Sequence, residues 1–108
     1  MAKYLFMGTY TREGLQALKE DAATARREAV SRLAASLGGQ LESFYFAFGE
    51  TDTFVVLDLP SPEAAAAAAF AVNSSGAATD TTTVLLTPEQ VDAARDLTPV
   101  YRPPGGSE

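Results

Sequence analysis

The 108 residues predict an α+β domain: a four-stranded antiparallel sheet with helices on one of its faces. Three observations predict it. Segments of strand and helix character alternate in the order β-α-β-β-α-β. The two middle strands are joined by only four residues, Gly49-Glu50-Thr51-Asp52, a hairpin length. The later helices open on strong start signals, Ser61-Pro62-Glu63 and Thr87-Pro88-Glu89-Gln90.

Each element has its own reason. Lys3 to Thr11 reads as a strand, with Tyr4, Phe6, Gly8 and Tyr10 alternating with Leu5, Met7 and Thr9. Thr11 then caps a helix whose apolar stripe is Leu15, Leu18, Ala22, Ala25, Ala29, Leu33 and Leu37. Gly38-Gly39 ends it. Uninterrupted, that helix would be about 39 Å long, more than a four-stranded sheet needs, so a break is expected between Asp21 and Thr24. Gln40 to Phe48 and Thr53 to Leu59 form the hairpin. Ser61 caps an alanine-rich helix that ends between Asn73 and Gly76. The β-branched run Ala78 to Leu86 is the fourth strand, and the segment from Thr87 a short extra C-terminal helix. Residues 1–97 are expected to be the domain, and 98–108 an irregular Pro/Gly-rich tail draped over a neighbour through Val100 and Tyr101.

This order is the ferredoxin-like pattern, with the first and third strands central and both main helices on one face. The opposite face should then alternate apolar and polar residues if water covers it. It does not. Phe44, Phe46 and Phe48 read as one side of the second strand and Leu41, Tyr45 and Ala47 as the other; Phe54 and Val56 oppose Val55, Leu57 and Leu59 in the third. An apolar second face of that size implies a partner. The expectation is a homodimer whose sheets meet face to face as a dimeric α+β barrel.

Composition removes several functions. A net charge of −6 with eight basic residues, clustered only at Arg26-Arg27, disfavours nucleic acid. The chain has no histidine and no cysteine, which excludes Ser-His-Asp and Cys-His catalysis and ordinary zinc sites. Any metal would rest on carboxylates, and none is expected, nor any cofactor. No signal-peptide core or membrane-length apolar run is present, so a cytoplasmic protein with no membrane partner is expected.

Two short motifs carry a resemblance. Thr11-Arg12-Glu13-Gly14 opens the first helix, and Gly49-Glu50-Thr51-Asp52 joins the hairpin between "FYFAF" and "TFVVLDLPSPEAA". Over about Ala2 to Gln90 the chain resembles the GYD domain family, small bacterial proteins of unassigned activity with a Thr-x-x-Gly helix start and a Gly-x-Tyr-Asp turn. Here Thr51 stands where the family pattern has tyrosine. The resemblance implies kinship with the dimeric α+β barrels, a group of monooxygenases, cyclases, isomerases and ligand-sensing domains, and fold analogy does not choose among them.

Candidate residues follow from what remains. The turn reads first as structural: glycine supplies a positive φ, and Asp52 accepts hydrogen bonds from turn amides; the alternative reading is the lip of a site. The aromatic residues read as core and interface. If they enclose an apolar pocket for a small hydrophobic ligand, Tyr10, Arg12 and Tyr45 are the polar groups expected to meet it. Asp58 is expected to sit at a strand end or to pair with Lys3, and Asp80 to be an edge charge that blocks unwanted strand pairing. The function expected is a small-molecule-binding or structural accessory protein. The alternative is a cofactor-independent cyclase, isomerase or monooxygenase that transfers protons through Asp, Glu, Lys or Tyr.

Overall fold

The computed structural model describes residues 1–106. Among them the elements run β1 (Ala2–Tyr10), α1 (Arg12–Glu20), α2 (Ala23–Ser36), β2 (Gln40–Phe46), β3 (Thr53–Leu59), α3 (Pro62–Asn73), β4 (Ala78–Leu85) and α4 (Pro88–Arg95). The strands form one open antiparallel sheet in the order β2-β3-β1-β4. That is the ferredoxin-like arrangement, with β1 and β3 central.

The core lies between the sheet and two helices. Tyr4 and Phe6 of β1 and Val55, Leu57 and Leu59 of β3 are buried against Ala34 of α2 and Ala65 and Ala68 of α3. The alanines let α3 approach the sheet closely. Ser61 caps α3 by accepting the Ala64 N–H at 3.1 Å, and Pro62 fills its first position. At Asp21-Ala22 the long helical segment breaks, inside the expected window. Beyond the break the packed stripe shifts: Val30, Leu33 and Leu37 lean on the core, while Ala22 and Ala25 are exposed. Gly38, at φ 82°, closes α2 as expected. Thr87 and Gln90 form the reciprocal capping box of α4.

The opposite face carries Leu5 and Met7 of β1, Phe54 and Val56 of β3, and Tyr45 of β2, since Tyr45 pairs with Phe54 and Leu5 with Val56. A row of threonines on β4, Thr79, Thr81 and Thr83, borders it. At one end Lys3 bridges Glu42 and Asp58, the latter at 3.1 Å, so Asp58 has the cation expected for it.

Several expectations need correction. β2 ends at Phe46 rather than Phe48. A register shift between Leu41 and Ser43 puts Leu41 opposite Leu57 on the helix side, so Leu41 does not share a face with Tyr45. The positive φ of the hairpin falls on Phe48 (52°), not on Gly49, and the Phe48 ring stacks on Phe46 at 5.9 Å. Asp80 does lie on an edge strand, β4, but it does not stand free there as a guard. It faces the helix side opposite Gly8 and is tied to α3: its N–H donates to Asn73 Oδ1 at 2.8 Å, and Asn73 Nδ2 donates to its carboxylate at 3.0 Å. After β4 the chain leaves the body. α4 buries none of its residues, and 98–106 hold no helix or strand. Ser107 and Glu108, the end of the expected tail, lie outside the described residues.

Candidate functional site

Both short motifs end on the junction of β1 and α1. Thr11 caps α1 by accepting the Gly14 N–H at 3.1 Å. Its own N–H donates to Ala77 O at 2.9 Å, and its hydroxyl lies 2.8 Å from Gly76 O. Gly14 has to be glycine for a spatial reason. A Cβ there would stand 1.9 Å from Ala77 O. The first motif therefore rivets the start of α1 to the loop before β4. The second grips the same corner from the other side. The Asp52 carboxylate accepts the Tyr10 N–H at 2.9 Å, and its N–H donates to Gly8 O at 2.8 Å. Asp52 thus serves a β1 amide rather than the turn amides expected of it. Thr51, at the tyrosine position of the family pattern, is half-buried, and its carbonyl accepts the Gly49 N–H at 3.4 Å.

The residue so fixed is Tyr10, and its side chain enters a cleft between the sheet and the helices. The inner part is a cavity of about 80 Å³, floored by Gly8, Thr53 and Val55 and roofed by Val30, Leu33, Ala68 and Val72. Gly8 keeps the floor open, for a Cβ there would lie 2.6 Å from Thr53 Oγ1. The outer part, about 300 Å³, runs between α1 and the end of α3. Tyr10, Arg26, Leu33, Val72 and Ala78 line both.

Four polar side chains stand in this apolar wall: Tyr10, Arg26, Thr53 and Asp80. Burial raises the Tyr10 phenol above its ordinary value; the Arg26 guanidinium beside it pulls part of the way back, and Asp52 adds a further upward push. At neutral pH Tyr10 is therefore a neutral donor. Burial also raises the Asp80 carboxyl, against the lowering effect of its Asn73 hydrogen bond. Arg26 gives the site its positive charge, and a guanidinium matches a carboxylate or another paired-oxygen group. Among the described residues no three acidic side chains converge on a point where a metal ion could be held.

Of the residues singled out from sequence, Tyr10 and Asp52 meet at this corner. Arg12 is exposed on the first turn of α1, and Tyr45 stands 69% exposed on the open sheet face; neither lines the cleft. Arg26, Asp80 and Thr53 were not picked out as ligand contacts. Asp80 had left a signal, a lone carboxylate in a β-branched run. Arg26 had none, because its position depends on the helix break that sets the start of α2.

Fold and cleft together define the class: a ferredoxin-like α+β domain with an apolar cleft between sheet and helices. The GYD domain family model matches residues 4–94 of the chain, and the protein belongs to that family. No curated protein and no solved structure matches it.

Proposed function

We propose that the protein binds a small, mainly apolar molecule bearing an oxygen head group in the cleft between sheet and helices, and acts as a pair of chains joined through their open sheet faces. The ligand reading is carried by one observation: Tyr10, Arg26 and Asp80 share, with Thr53, the wall of an otherwise apolar cavity. A pocket of this kind gets affinity from its apolar lining and orientation from a few converging polar groups. The inner 80 Å³ suits a compact head group facing Arg26 and Tyr10, with the apolar remainder in the outer 300 Å³. The pairing rests on Leu5, Met7, Phe54, Val56 and Tyr45, an apolar patch with no helix over it.

The test is a titration with small aromatic and alicyclic carboxylates and phenols, followed by amide chemical shifts and melting temperature. Shifts centred on Phe6, Tyr10 and Asp80 are expected, and Arg26→Ala should weaken binding by about ten- to a hundredfold, as for a lost charged hydrogen bond. Shifts confined to the open face, or none at all, would refute the cleft reading. A second reading, cofactor-independent proton transfer on such a molecule, is favoured by Asp80. A half-buried carboxyl raised above its ordinary value, in the same wall as a neutral phenol, can move a proton while the phenol steadies the developing charge. Turnover that Asp80→Asn abolishes while binding persists would select it.

A further inference from the structure

The region after β4 does not behave as part of a compact domain. A chain of this length folded compactly has a radius of gyration of about 13 Å; this one has 17.4 Å, with extents of 60 × 31 × 22 Å. Its accessible surface is 7488 Å², whereas a folded monomer of its mass exposes about 5,800 Å². α4 and the segment that follows it contribute to this excess. α4 buries no residue, and Val91, Leu97, Val100 and Tyr101 are exposed, Val100 completely.

An arm free in water would be expected to be polar, yet this one carries apolar and aromatic side chains. It is also stiff where a tether would be loose. A complete capping box starts α4, and Pro99, Pro103 and Pro104 restrict the backbone beyond it. Fixing such a segment costs conformational entropy that contacts must offset. Its own chain does not supply them.

We propose that this arm, Leu86 to Gly106, seats on a second copy of the chain, so that two copies exchange arms. Reach supports it: eight helical residues span about 12 Å and the ten from Leu97 to Gly106 up to about 33 Å, enough to cross a neighbouring body. Area supports it too. The excess surface, about 1,700 Å² relative to a compact monomer and shared between the arm and the open sheet face, leaves room for the ~800 Å² per partner of a stable interface. Exchange of an identical element is a low-cost route to such a pair. The proposal rests on the pairing put forward above and adds a contact that the open sheet faces alone do not provide.

The absence of cysteine makes the test clean. Tyr101→Cys, labelled with a photoactivatable benzophenone, is mixed with isotopically heavy unlabelled chain, irradiated, and digested for mass spectrometry. Cross-links from the labelled arm to heavy peptides are expected. In parallel, sedimentation equilibrium compares the full chain, a chain ending at Leu85, and Val56→Glu. Truncation should weaken association at least tenfold. Cross-links only within the labelled chain, or a truncated chain that associates as well as the full one, overturn arm exchange and leave sheet pairing standing. Association that survives Val56→Glu but not truncation upholds the arm and overturns the sheet pairing. A full chain that stays monomeric up to 100 μM, about the upper range of such measurements, overturns both.

Discussion

The two faces of β3 both carry large apolar residues and meet different fates. Val55, Leu57 and Leu59 are buried under α2 and α3, while Phe54, Val56 and Asp58, alternating with them, stay at least partly open. Val56 is as hydrophobic as Val55. What separates them is topology, because the crossovers carry α2 and α3 to one side of the sheet. An open face of this composition records missing cover, not missing hydrophobicity, and in this chain the side with cover holds the cleft and the side without it holds the patch.

Breaking the comparison is simplest within one strand. Leu57→Ala removes a buried side chain and should cost about 2–5 kcal/mol in urea unfolding followed by circular dichroism. Val56→Ala, at a half-buried position and measured on dilute chain, should cost about 1 kcal/mol or less, well below Leu57→Ala. Equal losses would mean the open face is covered even in the single chain. Next in size is the backbone contact that anchors the covered side. Gly14→Ala forces a Cβ into Ala77 O and should cost about 1–3 kcal/mol, the range for overpacking. An unchanged melting temperature would show that the α1 start is not held as described. Asp52→Ala, which strips the Tyr10 N–H of its acceptor, should cost about 1–2 kcal/mol. It should leave the affinity of any cleft ligand within a few-fold, in contrast to Arg26→Ala, and a loss of affinity with unchanged melting would move Asp52 from scaffold to site.

Most of the fold was legible because local signals and global topology agree. The Ser61-Pro62 and Thr87-Pro88 starts, the Gly38 stop and the excess length of the first helical segment each state a boundary in chemistry that the backbone must obey. The register of β2 was not legible. A bulge between Leu41 and Ser43 inverts the alternation, and neither residue type announces it. Nor was the positive φ at Phe48, where glycine was the natural expectation one residue later. The candidate site was half legible. Tyr10 stood out as an aromatic at a strand end beside a capping motif. Arg26 and Asp80 join it only in three dimensions, through α2 after its break and β4 alongside β1. The two motifs were visible as strings, but their purpose was not. Both hold the Tyr10 corner, one from Ala77 and one from Gly8.

The smallest expected effect sharpens the comparison most, because each face carries one strand carboxylate with a shift of opposite sign. On the open face, the Lys3 hydrogen bond holds the Asp58 carboxyl below its ordinary value, with Gln40 assisting. Asp58 therefore adds stability that is present above the unfolded carboxyl value and is lost as pH falls through its lower folded value. On the covered side, burial raises Asp80, so its contribution is greatest below the unfolded value and fades as pH rises through the raised one. Asp58→Asn should lower the melting temperature at pH 7, by the equivalent of about 0.2–1 kcal/mol for an exposed pair. Asp80→Asn keeps an acceptor for Asn73 and removes a charge that burial disfavours, so it should raise the melting temperature at pH 7, with the gain vanishing below about pH 4, where both side chains are neutral. Melting curves of the two variants and the parent from pH 3 to pH 8 decide it. If both variants shift the same way at pH 7, Asp80 is held as an ordinary paired carboxylate, and the cleft loses the group that best suits it to proton transfer.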